Sequence, residues 1–141
     1  MAQVLIKSET YNLPFDEALV AGWLKDLRNF EQLMPEGKVS NWKADENSCS
    51  FIIKGMSSLG MERHPQPGPH EVRYKSTTQS PIKFDLFARM TTLPDGHCEV
   101  RFELETDMSP FVKMMAEKPL TAFFDAMASK IGAQLEATRS T

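Results

Sequence analysis

The sequence predicts an α+β domain in which a curved antiparallel sheet of about seven strands wraps a long C-terminal helix. Three observations carry that prediction. Apolar and polar residues alternate through most of residues 39–108, the period of a half-buried strand. The segment SPFVKMMAEKPLTAFFDAMASKIGAQL, Ser109 to Leu135, instead spaces its apolar residues at threes and fours. Between a first strand and the alternating region, NLPFDEALVAGWLKDLRNFEQLMPEG turns helical and carries its own start and stop signals.

The elements follow in order. AQVLIKSET, Ala2 to Thr10, is rich in β-branched residues and suits a first strand. Pro14 fits a first helical position, and Asp16 and Glu17 lie where the helix dipole favours acid. Phe15, Leu19 and Trp23 recur at fours as one apolar stripe. Asp26 caps a second short helix bearing Leu27, Phe30 and Met34, which Pro35 and Gly37 stop. Strands are predicted at Val39–Ala44, Cys49–Lys54, Ser57–Arg63, Glu71–Thr78, Ile82–Leu93 and Cys98–Asp107, parted by turn-forming DENS, PQPGP and PDGH. In the last two the alternation is clean, giving one wet and one buried face. A proline inside a helix costs about 3 kcal/mol and at its start little. Lys118-Pro119 therefore predicts a short helix, Pro110 to Glu117, then a bend and a long helix from Pro119 to about Ala137. Leu120, Phe123, Phe124, Met127, Ile131 and Leu135 share one face of the latter.

Bulk properties narrow the function. The 141 residues suit one domain, 1–141, and 41% apolar with 25% charged residues is ordinary for a soluble globular chain. A net charge of −3 without a Lys/Arg run argues against nucleic acid. The apolar runs fall far short of the ~20 residues that span a bilayer, so no stable membrane insertion is expected. MAQVLIKSETYN lacks the basic start of a signal peptide. Cys49 and Cys98 are too few and too far apart for a disulfide scaffold or zinc site, and read as reduced, buried thiols. The expected location is the cytoplasm, with no metal or covalent cofactor.

DLRNFEQLMPE, Asp26 to Glu36, resembles the helix-to-strand passage of START/Bet v 1-like (SRPBCC) proteins, and SPFVKMMAEKPLTAFFDAM resembles small bacterial members of that superfamily. The element order extends the resemblance over essentially the whole chain. It implies a helix-grip fold with a cavity between sheet and C-terminal helix. Members bind lipids, sterols, hormones or polyketides; a few are cyclases and others assist chaperones.

Candidate cavity residues are Trp42, Phe51, Met61, Tyr74, Phe84, Leu86 and Phe102 on the strands, faced by Phe123, Phe124 and Met127. Such a stripe also describes plain core, and the resemblance is what favours a site for a small apolar molecule. A dry, empty pocket of a few hundred Å³ would cost several kcal/mol at roughly 24 cal/mol per Å³. Net stability is only about 5–15 kcal/mol. The nine methionines suggest another solution, an interior that collapses and opens for its guest.

Chemistry is the alternative. Arg63 and Tyr74 share inward parity, and such a pair in an apolar cup can polarise a carbonyl as a polyketide cyclase or dehydratase requires. Arg63 can equally pair at the rim or reach solvent. His64, His70 and His97 sit in or beside turns without metal-ligand spacing and read as surface histidines. Outward Phe87, on a polar strand face, and KPL near the cup mouth would serve a partner or ligand gate, in a monomer or a homodimer.

Overall fold

The computed structural model describes residues 2–35, 37–54, 58–65, 68–78, 80 and 82–139. The predicted strand start at Ser57 and Gln66–Pro67 of the PQPGP turn lie outside them. Strands β1 (Ala2–Lys7), β2 (Tyr11–Leu13), β3 (Val39–Ala44), β4 (Ser48–Ile53), β5 (Ser58–Arg63), β6 (Glu71–Ser76), β7 (Phe84–Thr92) and β8 (Cys98–Met108) form one antiparallel eight-stranded sheet. Its order is β1-β8-β7-β6-β5-β4-β3, with β2 also on β8. Helix α1 (Glu17–Leu24) and a 3-10 helix (Leu27–Leu33) close one end, and α2 (Pro110–Arg139) lies against β8, β1 and the 3-10 helix.

The predicted first strand is two. β1 pairs Lys7 with Glu103, and β2 resumes at Tyr11 opposite Val100. At the break, Ser8 Oγ accepts from Phe102 N, while Asp125 of α2 accepts from Glu9 N and Tyr11 Oη, both at 3.0 Å. The interruption thus ties the strand to the helix. Gly132 admits that approach, since a Cβ there would stand 3.2 Å from Leu13 Cδ2.

The stripe through Leu19 is also corrected. Asp16 is the cap, its carboxylate accepting from Leu19 N at 2.8 Å, so Phe15 stands before the helix. Phe15 and Val20 then occupy the positions of a hydrophobic staple, and Val20 and Leu24 form the buried face. Leu19 is 49% exposed. The second helix buries Leu27, Phe30 and Leu33 at steps of three because it is a 3-10 helix, in which such positions eclipse. Met34 is its cap rather than a core residue of an α-helix.

Pro119 does not divide the last helix: α2 runs unbroken from Pro110 to Arg139. Proline cannot donate to the Met115 carbonyl, but both residues are exposed where the helix leaves the core. Burial of Leu120 and Phe123 immediately beyond holds the chain helical.

The sheet's outer face carries another correction. Phe87 is not an exposed contact; it is buried, with the guanidinium carbons of Arg89 and Arg73 lying 4.2 and 5.3 Å from its ring centroid. Arg89 also binds Glu71 and Glu103, and Arg101 reaches Glu103 from the other side. Burial would raise the Glu103 carboxyl, but hydrogen bonds and charge from Arg89 and Arg101 outweigh it and hold it below its usual value.

Two outcomes follow from these features. Pro119→Ala should raise the thermal midpoint by the equivalent of ~1–3 kcal/mol, measured by circular dichroism, because it restores a helical hydrogen bond. A pKa depressed on folding stabilises above the unfolded carboxylate value and loses that contribution as pH falls through the folded one. Glu103→Gln should therefore lie well below the parent in Tm at pH 7, and the gap should narrow towards pH 3. A pH-independent gap would contradict the assignment.

Candidate functional site

An apolar cavity of about 30 Å³ lies between the sheet and α2. Among the described residues fourteen side chains line it, all of them apolar. Of the residues predicted from sequence, Phe51, Met61, Phe84, Leu86, Phe123, Phe124 and Met127 do so. Trp42 and Phe102 stand one ring behind: Trp42 stacks on Phe51 at 5.6 Å, and Phe102 meets Phe124 at 6.3 Å. Trp42 turns inward beside a bulge in β3, where Asn41 adopts a positive φ of 56°.

These rings belong to one series. Tyr74, Phe30, Phe102, Phe124, Phe123, Phe51 and Trp42 follow one another at centroid spacings of 5.1–6.3 Å. Such spacings give edge-to-face or offset contacts worth about 0.5–1.5 kcal/mol each beyond area burial. The series crosses the core from the 3-10 helix to the edge strand and leaves the cavity to one side.

Arg63 and Tyr74 are direct cross-strand partners. Neither lines the cavity. Tyr74 is fully buried and donates to the Leu24 carbonyl at 2.6 Å. Burial drives its phenol pKa well up, with a nearby thiol adding to the shift and Arg63 opposing it. Arg63 donates to the Lys25 carbonyl at 3.1 Å and to Asn47 Oδ1 at 2.7 Å. Their polar ends thus hold α1 and its following turn to the sheet. Both thiols are buried: burial pushes Cys49, the one near Tyr74, up to about 12 and Cys98 up to about 11. His70 meets Glu17 at 2.7 Å and His97 meets Asp95 at 3.5 Å, both in exposed positions.

Seven lining residues were not among the predicted site residues: Met34, Ile53, Leu59, Ile82, Leu104, Met108 and Leu120. Leu120 shares the helix face already legible in α2, and Met108 continues the even-numbered alternation of β8. Ile82 continues the alternation of Phe84 and Leu86 back from β7, whereas Met34 ends the 3-10 helix, where periodicity carries no signal.

Outside the cavity, an open cleft of about 620 Å³ runs between the first half of α2 and the β3–β4 edge. Ile53, Leu120 and Phe123 line both spaces, so one layer of side chains separates them. The helix beside this cleft exposes Phe111, Val112, Met114 and Met115, the last two at 74% and 65%.

Tyr74→Phe tests the structural role of the hydroxyl. It should leave the Leu24 carbonyl unsatisfied and cost ~1–3 kcal/mol in urea unfolding, with capture of an apolar ligand unchanged. Loss of capture at undiminished stability would put the hydroxyl in the binding site instead.

No family model matches the chain, and no curated protein matches it in sequence. Solved structures do match. The KanY protein superposes with a TM-score of 0.75 at 12% identity, covering 96% of this chain and 99% of that one. A START superfamily protein from Mycobacterium smegmatis gives 0.65 at 12% identity, covering 95% and 98%. The ZhuI aromatase/cyclase from Streptomyces gives 0.63 at 14% identity, covering 96% and 94%. Together with a sheet curled about one terminal helix, these likenesses establish that the chain has the START-like helix-grip fold.

Proposed function

We propose that this protein binds a small hydrophobic molecule between the sheet and α2, taken up through the cleft beside β4. The observation that carries this reading is the shared layer of Ile53, Leu120 and Phe123, which separates a cavity lined by apolar side chains among the described residues from an open, mostly apolar cleft. In the resting state the cavity has room for little more than a water molecule, whereas small-molecule sites run to about 300–1,000 Å³. The site must therefore enlarge as the guest enters.

The resting state is economical. At roughly 24 cal/mol per Å³, an empty space of this size costs about 0.7 kcal/mol, against several for a preformed pocket. Met34, Met61, Met108 and Met127 line the cavity, and their unbranched chains can change rotamer to make room. No titratable side chain lines it among the described residues, which favours binding over cyclase-like turnover. The partner contact expected at Phe87 loses its basis, because the ring lies beneath two guanidiniums. Among the described residues no helix is long and apolar enough to cross a membrane. The free thiols Cys49 and Cys98 accord with the cytoplasm as the working compartment.

Native mass spectrometry of freshly purified protein should show an apolar molecule travelling with it. Thermal titration should agree: at ligand about 100-fold above Kd, linkage supplies about 2.7 kcal/mol and a Tm rise of roughly 5–10 °C. Ala122, exposed in the cleft, offers the control. Ala122→Trp should leave the free protein's Tm unchanged and abolish the rise. A flat response to Nile red, a sterol, a long-chain acyl compound and an aromatic polyketide alike would overturn the reading.

A further inference from the structure

The cleft is not uniformly apolar. Its lining includes two charged residues, Lys38 and Lys54, and both are cations. They sit where β3 and β4 begin and end: Lys54 N donates to the Lys38 carbonyl at 2.8 Å, which fixes the two backbones side by side. The turn before them is closed by Lys38 N donating to the Pro35 carbonyl at 3.2 Å, with Gly37 at a φ of 76° that favours glycine. Among the described residues neither ammonium has an ion pair or side-chain hydrogen bond. By contrast Lys130, on the same helix as the cleft wall, is engaged with the Met34 carbonyl at 3.1 Å.

We infer that the guest is a long-chain acyl carboxylate whose head sits against Lys38 and Lys54 and whose tail passes Ile53, Leu120 and Phe123 into the cavity. This rests on the binding reading above and adds the ligand's charge and shape to it. The charge argument is complementarity: two cations stand at one mouth of a chain with net charge −3. Charge-assisted hydrogen bonds to a carboxylate are about twice as strong as neutral ones. The shape argument comes from the interior. With only about 30 Å³ standing free, a linear tail displaces fewer side chains than a fused-ring body of equal apolar area. The methylenes supply the affinity, at about 0.8 kcal/mol for each one buried, and the lysines set the orientation.

Three probes with one tail separate the two levels of this reading: palmitate, 1-hexadecanol and hexadecyltrimethylammonium, each titrated below its micelle concentration into the full-length protein. Palmitate should bind at least about tenfold tighter than the alcohol in low salt, the cation more weakly still, and the palmitate advantage should shrink in 0.5 M NaCl. The double variant Lys38→Gln/Lys54→Gln should bring palmitate down to the alcohol's affinity and leave the alcohol and the Tm of the free protein unchanged. Equal binding of palmitate and hexadecanol by the parent protein overturns the carboxylate assignment while the binding reading stands. Capture of Nile red or a sterol with none of the C16 probes overturns the linear tail in the same way. Failure of every apolar probe overturns both.

Discussion

The seating of Phe123 and Phe124 in the sheet is the contact on which the rest of the architecture depends. Phe123 stacks towards Phe51 of β4 and Phe124 towards Phe102 of β8, so adjacent residues of one helix grip strands on opposite sides of the sheet's curl. That double hold fixes how far α2 sinks and, with it, the space left between helix and strands. A helix held at one strand could roll. Held at two, it leaves freedom chiefly to side chains such as Met61 and Met127 and to its exposed first half.

The two faces of the sheet solve opposite problems. On the concave face, apolar contacts without polar atoms permit rearrangement, because sliding one methionine past another breaks no hydrogen bond. On the convex face, Phe87 is covered by Arg73 and Arg89, with Glu71 and Glu103 fixing Arg89 in turn. An ion network held by directional bonds resists rearrangement and keeps the sheet's curvature steady while the inner face yields. Tyr74 does comparable work at the closed end, where its hydroxyl clamps the last carbonyl of α1. The opposite end, with exposed Phe111, Met114 and Met115, has no equivalent clamp among the described residues and is the end that opens onto the cleft.

Much of this was legible in the residues. The alternation through β7 and β8 and the helical spacing of Leu120, Phe123, Phe124 and Met127 identified the cavity walls, because burial on one face leaves a period that polar substitutions cannot blur. The misreadings have definite causes. A period of four from Phe15 buries Leu19, but the Asp16 cap puts Phe15 outside the helix. Pro119 looks like a boundary because local preference disfavours it, yet burial of Leu120 and Phe123 just beyond it overrides a cost of about 3 kcal/mol. Phe87 looked exposed because parity reports which face a side chain leaves from and is silent about what then covers it.

The sequence by itself determined the outline of the element order, most of the inward residues and the apolar chemistry of the space they enclose, since each is a property of local period and side-chain type. Only the tertiary structure decided the size of that space and how it meets solvent. Whether facing side chains touch or stand apart depends on the depth at which α2 lies in the sheet, and that depth is a sum of many contacts between residues distant in the chain. The same reason put Lys38 and Lys54 at one mouth, where no spacing in the sequence would have joined them to Leu120 and Phe123.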